Sequence, residues 1–232
     1  MIDKMPEGVR IMSKRNIIIT LLVLSTILSL TATFFSYFGI TRYFSCHINS
    51  CENYIQNYSK LPKASEGRVV ISFSADPTKL NKLKPFINSI IDQTVKVDLI
   101  AMIIPDDDRY VNYVIPDYIK NVAVVFHTGR EYGKGTKIIP MLLREKEFDT
   151  TIITLNENIV YGQDFIYSLL EESKKYPDSV LTDKKGTFML FKPEHFGYDV
   201  INRENDNLDN DWFLEKASKS KIFKYRENYK IM

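Results

Sequence analysis

The sequence predicts an α/β domain with a mostly parallel sheet and flanking helices, preceded by one transmembrane helix. Short β-branched segments alternate with amphipathic segments between residues 68 and 174, which is typical of βαβ units. A long run without a formal charge, residues 16–41, precedes them. With 232 residues, 44% of them hydrophobic, the chain is long enough for one domain with a real core plus an appendage.

The uncharged run, residues 16–41, predicts a transmembrane signal anchor. A helix rises about 1.5 Å per residue, so the run exceeds the roughly 30 Å hydrocarbon core of a bilayer. Two basic residues flank its near end, whereas Arg42 alone follows closely on the far side. The positive-inside rule therefore predicts a type II single-pass protein, with a cytosolic tail of residues 1–15 and a lumenal or extracytosolic domain. A cleavable signal peptide is the alternative, because residues 30–32 offer small side chains for cleavage.

Residues 42–64 are predicted to form a polar stalk between the anchor and the domain. Cys46 and Cys51 lie close together in this segment. A local disulfide, which requires an oxidising compartment, and two free thiols are both compatible with that spacing. With only His47 nearby, the two cysteines fall short of a four-ligand metal site.

The charge distribution disfavours nucleic acid as a partner. The chain has 31 basic and 29 acidic residues, giving a formal net charge of +2. These charges are scattered along the chain, whereas a protein that binds a phosphate backbone clusters its Lys and Arg side chains.

The elements of the domain, residues 65–232, follow from the spacing of apolar side chains. Strands are predicted at residues 68–74, 97–104, 122–126, 151–155, 179–182 and 187–191. Helices are predicted at residues 80–91, 136–143, 164–174 and 211–218. Ligands of such sheets bind beyond the carboxyl ends of the strands. One binding rim is therefore predicted at residues 74–76, 105–108, 127–130 and 156–158.

Four short segments follow one another in this frame. They are the Ser-rich strand end at residues 72–77, Gln93-Thr94 after the first helix, a proline- and acid-rich loop at residues 105–108, and the Gly-x-x-x-Lys helix start at residues 133–140. In this order they resemble a family of GT-A glycosyltransferases, of the glycosyltransferase 2-like type found in bacteria, eukaryotes and large DNA viruses. The resemblance implies a GT-A (Rossmann-like) fold, a nucleotide-sugar donor, and a glycan or glycoprotein acceptor.

The resemblance also implies which residues bind the donor. Lys137 at the helix start and Arg130 in the preceding loop would bind a diphosphate, helped by amide groups at the helix N-terminus. Solvated surface is the alternative for both side chains. The implied donor-binding residues are Ser74, Asp76, Asp107, Arg130 and Lys137.

The metal motif of that family is Thr-x-Asp-Asp-Asp followed by two apolar residues and Tyr. Residues 154–161 keep this frame, but Asn156, Glu157 and Asn158 occupy the acidic positions. The motif implies a divalent cation, Mn or Mg, that neutralises the diphosphate leaving group. One carboxylate with two amides predicts weakened binding of that cation. An ordinary polar turn after the strand is the alternative.

Residues 209–213, with the sequence Asp-Asn-Asp-Trp-Phe, resemble the acidic signature that precedes Trp in the same family. There a carboxylate acts as general base on the acceptor hydroxyl, a role that Asp209 or Asp211 would take here. A helix N-cap is the alternative, and one carboxylate can serve in both roles.

Together these features predict a membrane-anchored glycosyltransferase, a hexosyltransferase with a degenerate metal motif. It would transfer a sugar from a nucleotide-sugar donor to a glycan or glycoprotein. The alternative is a catalytically weak or inactive glycosyltransferase-like protein that binds sugars or assists a partner enzyme. The acid-poor segment at residues 156–158 favours this second interpretation.

Overall fold

The structure is a computed structural model. It describes residues 14–37, 39–105, 113–129, 132–147, 149–201, 209–217, 219–223 and 229–230. The chain forms two compact units, Met1–Thr41 and Arg42–Met232.

The first unit contains helix α1 (Lys14–Tyr37), which is 24 residues long with a mean hydropathy of 2.3 and no buried residue. At about 1.5 Å per residue it is long enough to cross a bilayer. Several of its hydroxyl groups donate to backbone carbonyls within the helix; Thr20, for example, donates to the Asn16 carbonyl over 2.9 Å. Such bonds provide a partner for hydroxyl groups that would find no hydrogen-bond partner among lipid tails. The predicted apolar N-terminal helix is confirmed, and its orientation stays a prediction.

The second unit is an α/β domain built on a seven-stranded sheet with the order β3-β2-β1-β4-β7-β6-β8. The first four strands along the chain run parallel to one another, β7 is antiparallel to β4 and β6, and β8 is parallel to β6. A separate pair joins β5 and β9. The strands are β1 (Val69–Ser74), β2 (Leu99–Pro105), β3 (Val124–Thr128), β4 (Thr151–Leu155), β5 (Ile159–Val160), β6 (Val180–Thr182), β7 (Phe188–Phe191), β8 (Ser220–Ile222) and β9 (Tyr229–Lys230).

Helices cover both faces of this sheet. They are α2 (Ile40–Ile48), α3 (Cys51–Tyr58), α4 (Lys84–Ile91), α5 (Asp117–Lys120), α6 (Ile139–Arg144), α7 (Phe165–Lys175) and α8 (Asn210–Lys216). Successive side chains of a strand point to opposite faces, so Phe73 packs with α4 and α7 while Val70 packs with α6 and α8. Both faces of β1 are therefore buried, which is why its sequence is mostly apolar. The predicted α/β fold with a mostly parallel sheet is confirmed.

Residues 42–64 are part of the second unit and do not form an extended stalk. Helix α3 packs against α4, and both Cys46 and Cys51 are buried. The amide of Asn88 on α4 donates to the Cys46 carbonyl over 2.9 Å. Both cysteines are free thiols, so the thiol alternative for this pair agrees with the structure. Burial raises the pKa of Cys46 to about 11, which keeps the thiol protonated.

Candidate functional site

In the described part of the chain, two clefts that contain predicted site residues open at the carboxyl end of the parallel strands. The first, here called the strand-tip cleft, has a volume of about 190 Å³ and is lined by residues that include Ser74, Asp76, Thr136 and Glu157. It forms there because β1 pairs in parallel with both β2 and β4, so that the loops after these strands emerge at one edge. Three of the predicted site residues are thus brought together.

The second cleft, here called the α8 cleft, has a volume of about 570 Å³, which is within the range of ligand sites. Asp209 and Asp211 at the start of α8 form one wall. The charged residues that complete its lining are Lys134, Asp183, Lys184 and Lys185. The turn Lys134–Lys137, a single 3₁₀ turn, adjoins both clefts, because Thr136 lines the first and Lys134 the second.

Asp76 is a fixed negative charge in the strand-tip cleft. Its carboxylate caps the 3₁₀ turn Pro77–Lys82, accepting from the Thr78 amide over 2.9 Å and from the Thr78 hydroxyl over 2.7 Å. Burial alone would raise the pKa of Asp76, but these hydrogen bonds and the ammonium of Lys79 hold it below its ordinary value. An ionised carboxylate accepts hydrogen bonds from hydroxyl groups and repels phosphate. Asp76 therefore suits the sugar or ribose part of a ligand.

The loop with Glu157 is held in place from within the protein. The Asn156 side-chain oxygen accepts from the Asn158 amide over 2.9 Å, which closes a tight turn. The buried Tyr161 hydroxyl accepts from the Asn156 backbone over 2.9 Å and donates to the Thr187 carbonyl over 2.9 Å. Burial raises the pKa of Tyr161 well above its ordinary value, so this hydroxyl keeps its proton. The position of Glu157 at the cleft follows from these bonds.

The side chains of this loop fit a divalent cation poorly. Mn²⁺ and Mg²⁺ need about six oxygen ligands. The Asn156 side-chain oxygen already accepts two hydrogen bonds from Asn158, leaving Glu157 as the one carboxylate of the loop. Within the described ranges, no group of three or more His, Cys, Asp or Glu side chains is arranged to hold a metal. The hydrogen bonds between Asn156 and Asn158 therefore agree with the alternative that residues 156–158 form a polar turn.

Lys137 is buried between the two clefts and lines neither of them. It is 6% exposed, and its Nζ donates to the Leu155 carbonyl at the tip of β4 over 3.1 Å. Burial lowers the pKa of Lys137 to about 8, and the Glu157 carboxylate opposes this shift. The charges of Lys134 and Asp183 in the α8 cleft also act on it. A single buried ammonium thus experiences the charges of both clefts.

Local backbone bonds explain why Lys137 points inward. Gly133 enters the 3₁₀ turn with a φ of 57°, a conformation that favours glycine. The buried Ser72 hydroxyl on β1 then donates to the Lys137 carbonyl over 2.7 Å. This bond ties the end of the turn to the middle of the sheet. The side chain therefore points toward the tip of β4, where its Nζ meets the Leu155 carbonyl.

The two aspartates at the start of α8 have different roles. Asp209 caps the helix, because its carboxylate accepts from the Trp212 amide over 2.8 Å. Asp211 follows in the first turn, is exposed, and lines the same cleft without serving as the cap. Asn210 donates to the Gly186 carbonyl over 2.9 Å and so holds α8 against the turn between β6 and β7. The N-cap alternative is therefore the local role of Asp209, and Asp211 is the more available base.

Two of the predicted donor-binding residues, Asp107 and Arg130, lie outside the described residues, so their roles stay predictions. Gln93 lies outside the predicted set of site residues and supports the site: its side-chain amide donates to the Gly162 carbonyl over 2.7 Å and accepts from the Ile166 backbone over 3.0 Å. It thereby fixes the chain just after the loop with Glu157.

Comparison of the chain with protein-family models and with curated proteins finds no match in either.

Proposed function

We propose that the domain is a glycosyltransferase of the GT-A type that transfers a sugar from a nucleotide-sugar donor to a hydroxyl group of a glycan or glycoprotein. The main support is the pair of clefts at the carboxyl end of the parallel strands, with the buried ammonium of Lys137 between them. A transfer reaction needs a donor and an acceptor side by side, with positive charge near the leaving group.

In this proposal the strand-tip cleft, whose volume of about 190 Å³ is below the range of complete ligand sites, holds the sugar or ribose part of the donor. Ser74 and Asp76 bind hydroxyl groups of the donor, and Asp107 and Arg130 remain proposed further contacts. The diphosphate leaves toward the turn Lys134–Lys137. Lys137 acts from behind the cleft wall, where its charge is poorly screened because water is excluded. Since the loop at residues 156–158 fits a cation poorly, we assign to this lysine the role of stabilising the negative charge that develops on the diphosphate.

The acceptor occupies the α8 cleft. Asp211 takes the proton from the acceptor hydroxyl as the oxygen attacks the anomeric carbon, and the bond between that carbon and the diphosphate breaks. Asp209 keeps the start of α8 in place through its cap. Helix α1 would hold the enzyme at a membrane, where it meets glycan or glycoprotein acceptors.

The test uses the purified full chain in detergent micelles with a panel of nucleotide sugars. Thermal shifts detect donor binding, and product analysis detects hydrolysis or transfer in the presence of EDTA. We expect Asp211→Asn to lower transfer at least about tenfold, about 1.4 kcal/mol of barrier, while donor binding persists. Glu215→Gln, on the same helix outside the cleft, is the matched control and should leave transfer unchanged. If no nucleotide sugar binds, the proposal is wrong.

A second candidate function is donor or sugar binding without turnover. The observation that favours it is the loop at residues 156–158, where one carboxylate and two mutually bonded amides replace a cluster of acids. This candidate predicts thermal shifts with nucleotide sugars but no product. Transfer that falls in Asp211→Asn and survives in Glu215→Gln would exclude it.

A further inference from the structure

One face of the chain just beyond residue 41 is fixed to the domain. Arg42, Cys46 and Asn49 recur at spacings of four and three residues, so they lie on one side of α2 and its extension. Cys46 is fully buried. The amide of Asn88 donates to the carbonyls of both Cys46 and Asn49, over 2.9 and 3.1 Å. This face therefore packs against α4.

Arg42 strengthens this attachment. Its guanidinium pairs with Asp92 at 2.5 Å and donates to the Tyr161 carbonyl over 2.8 Å. It also donates to the carbonyls of Ser89 and Asp92, each over 3.2 Å. The side chain is only 15% exposed, so these bonds are largely shielded from water. Helix α2 is thus firmly attached to the domain from Arg42 onward.

The other face of α2 exposes large apolar side chains. Phe44 is 55% exposed and Ile48 is 75% exposed. They are four residues apart, so they lie on the same side of the helix. At about 100° of rotation per residue, that side is roughly opposite the face with Arg42 and Cys46. Neither side chain contributes to the core of the domain.

The position of these side chains in the chain limits what they can contact. Phe44 and Ile48 lie three and seven residues after Thr41, the end of the uncharged run. Along a helix these separations correspond to about 5 and about 10 Å. The headgroup layer on each side of a bilayer is about 5 to 8 Å thick. If α1 spans a membrane, Phe44 and Ile48 therefore lie close to the interfacial region on the side where α1 ends.

We propose that the exposed face of α2 docks on the surface of the bilayer that α1 spans, with Phe44 and Ile48 inserted among the lipid headgroups. Aromatic and aliphatic side chains on one face of a short amphipathic helix are suited to this layer. Because Arg42 fixes α2 to the domain, docking would hold one defined side of the domain against the membrane. This proposal depends on α1 as the anchor and is independent of sugar transfer.

Tryptophan fluorescence tests the proposal on the full chain. The chain has one tryptophan, so Trp212→Phe provides a background without a signal. In that background we place Ile48→Trp and reconstitute the protein in phosphatidylcholine vesicles, with or without bromine on the acyl chains near the headgroups. We expect a blue-shifted emission that the brominated lipid quenches about twofold. Tyr198→Trp, at another exposed site of the same unit, is the matched control and should not be quenched.

The outcomes separate a lipid contact from other contacts. Emission from Ile48→Trp that resembles the Tyr198→Trp control would overturn the proposal. A blue shift without quenching would mean that α2 packs against protein, such as a second copy of the chain, and would overturn it as well. Should Ile48→Trp fail to unfold cooperatively, Phe44→Trp in the same assay decides the question, because it lies on the same face.

Discussion

Replacing Lys137 with methionine is expected to stabilise the domain at neutral pH and to weaken donor binding. The ammonium of Lys137 is buried, and burial lowers its pKa from the ordinary 10.5 to about 8. The folded protein therefore binds this proton less tightly than the unfolded chain does. Methionine is similar in length and has no charge to remove from water. Stability and function would thus respond to the substitution in opposite directions.

The size of the effect follows from proton linkage. The pKa of Lys137 is lower in the folded protein than in the unfolded chain. The free-energy cost of burying its ammonium is therefore fully present below pH 8 and is relieved as the pH rises toward 10.5. Each pH unit within this window changes the free energy of unfolding by up to about 1.4 kcal/mol. Between pH 7 and pH 9.5 the contribution of Lys137 should therefore change by about 2 kcal/mol in favour of the folded state.

The assay is denaturant unfolding in micelles, followed by the fluorescence of Trp212 at pH 7 and at pH 9.5. Relative to Lys137→Met, the wild type should gain about 2 kcal/mol over this range. Taking the difference between two proteins cancels the titration of other groups. Lys82→Met, which replaces an exposed lysine, should behave as the wild type does. Identical pH dependence of wild type and Lys137→Met would refute the argument.

The same variant tests the role of the charge in binding. We expect the affinity of Lys137→Met for a nucleoside diphosphate to fall at least about tenfold, which corresponds to about 1.4 kcal/mol. Lys82→Met should bind with wild-type affinity. Unchanged affinity in Lys137→Met would mean that the buried ammonium does not act on the donor.

Two further substitutions test the surroundings of the clefts. Tyr161→Phe leaves the Thr187 carbonyl without its hydroxyl partner and should lower the free energy of unfolding by about 1 to 3 kcal/mol; an unaltered value would contradict the role given to the hydroxyl. Gly186→Ala places a Cβ 1.9 Å from the Asn210 amide at a φ of 61° and should cost about 1 to 3 kcal/mol in the same measurement. Gly129→Ala, whose Cβ would meet no atom of the described residues within 4 Å, is the control, and equal losses in the two variants would argue against strain at Gly186.

Much of the fold could be predicted because parallel strands buried on both faces have a simple sequence pattern. Residues 68–74 and 151–155 are short runs rich in β-branched residues, and they correspond to β1 and β4 with a difference of at most one residue at each end. Helix α7 likewise follows from its apolar spacing. Local patterning decides such elements, so no tertiary information is needed.

The segment 42–64 shows where this reasoning fails. Its composition is polar, and polar segments between an anchor and a domain are usually extended. The attachment of this segment to the domain depends on hydrogen bonds that composition does not reveal. The Asn88 amide donates to the Cys46 carbonyl, and the Arg42 guanidinium donates to the Tyr161 carbonyl. Backbone carbonyls are the acceptors in both cases, and every residue has one.

The candidate site was predictable in position but not in detail. Ser74, Asp76 and Glu157 were predicted to lie on one rim, and they line one cleft. The prediction was possible because the loops after parallel strands emerge at the same edge of any such sheet. Lys137 was expected either at a phosphate or on the surface, and both expectations assumed an exposed side chain. Its burial results from Ser72 and the Leu155 carbonyl, two tertiary partners far away in the sequence.

The bonds of Arg42 also bear on how the domain should be delimited. Arg42 donates to the Tyr161 carbonyl, and the hydroxyl of Tyr161 accepts from the backbone of Asn156. Two hydrogen bonds therefore connect the first residue after the uncharged run with the loop that presents Glu157 to the cleft. A domain that began at residue 65 would lack the first of these bonds and helices α2 and α3. The smallest unit that retains the support of the loop thus begins at Arg42, in agreement with the compact unit Arg42–Met232.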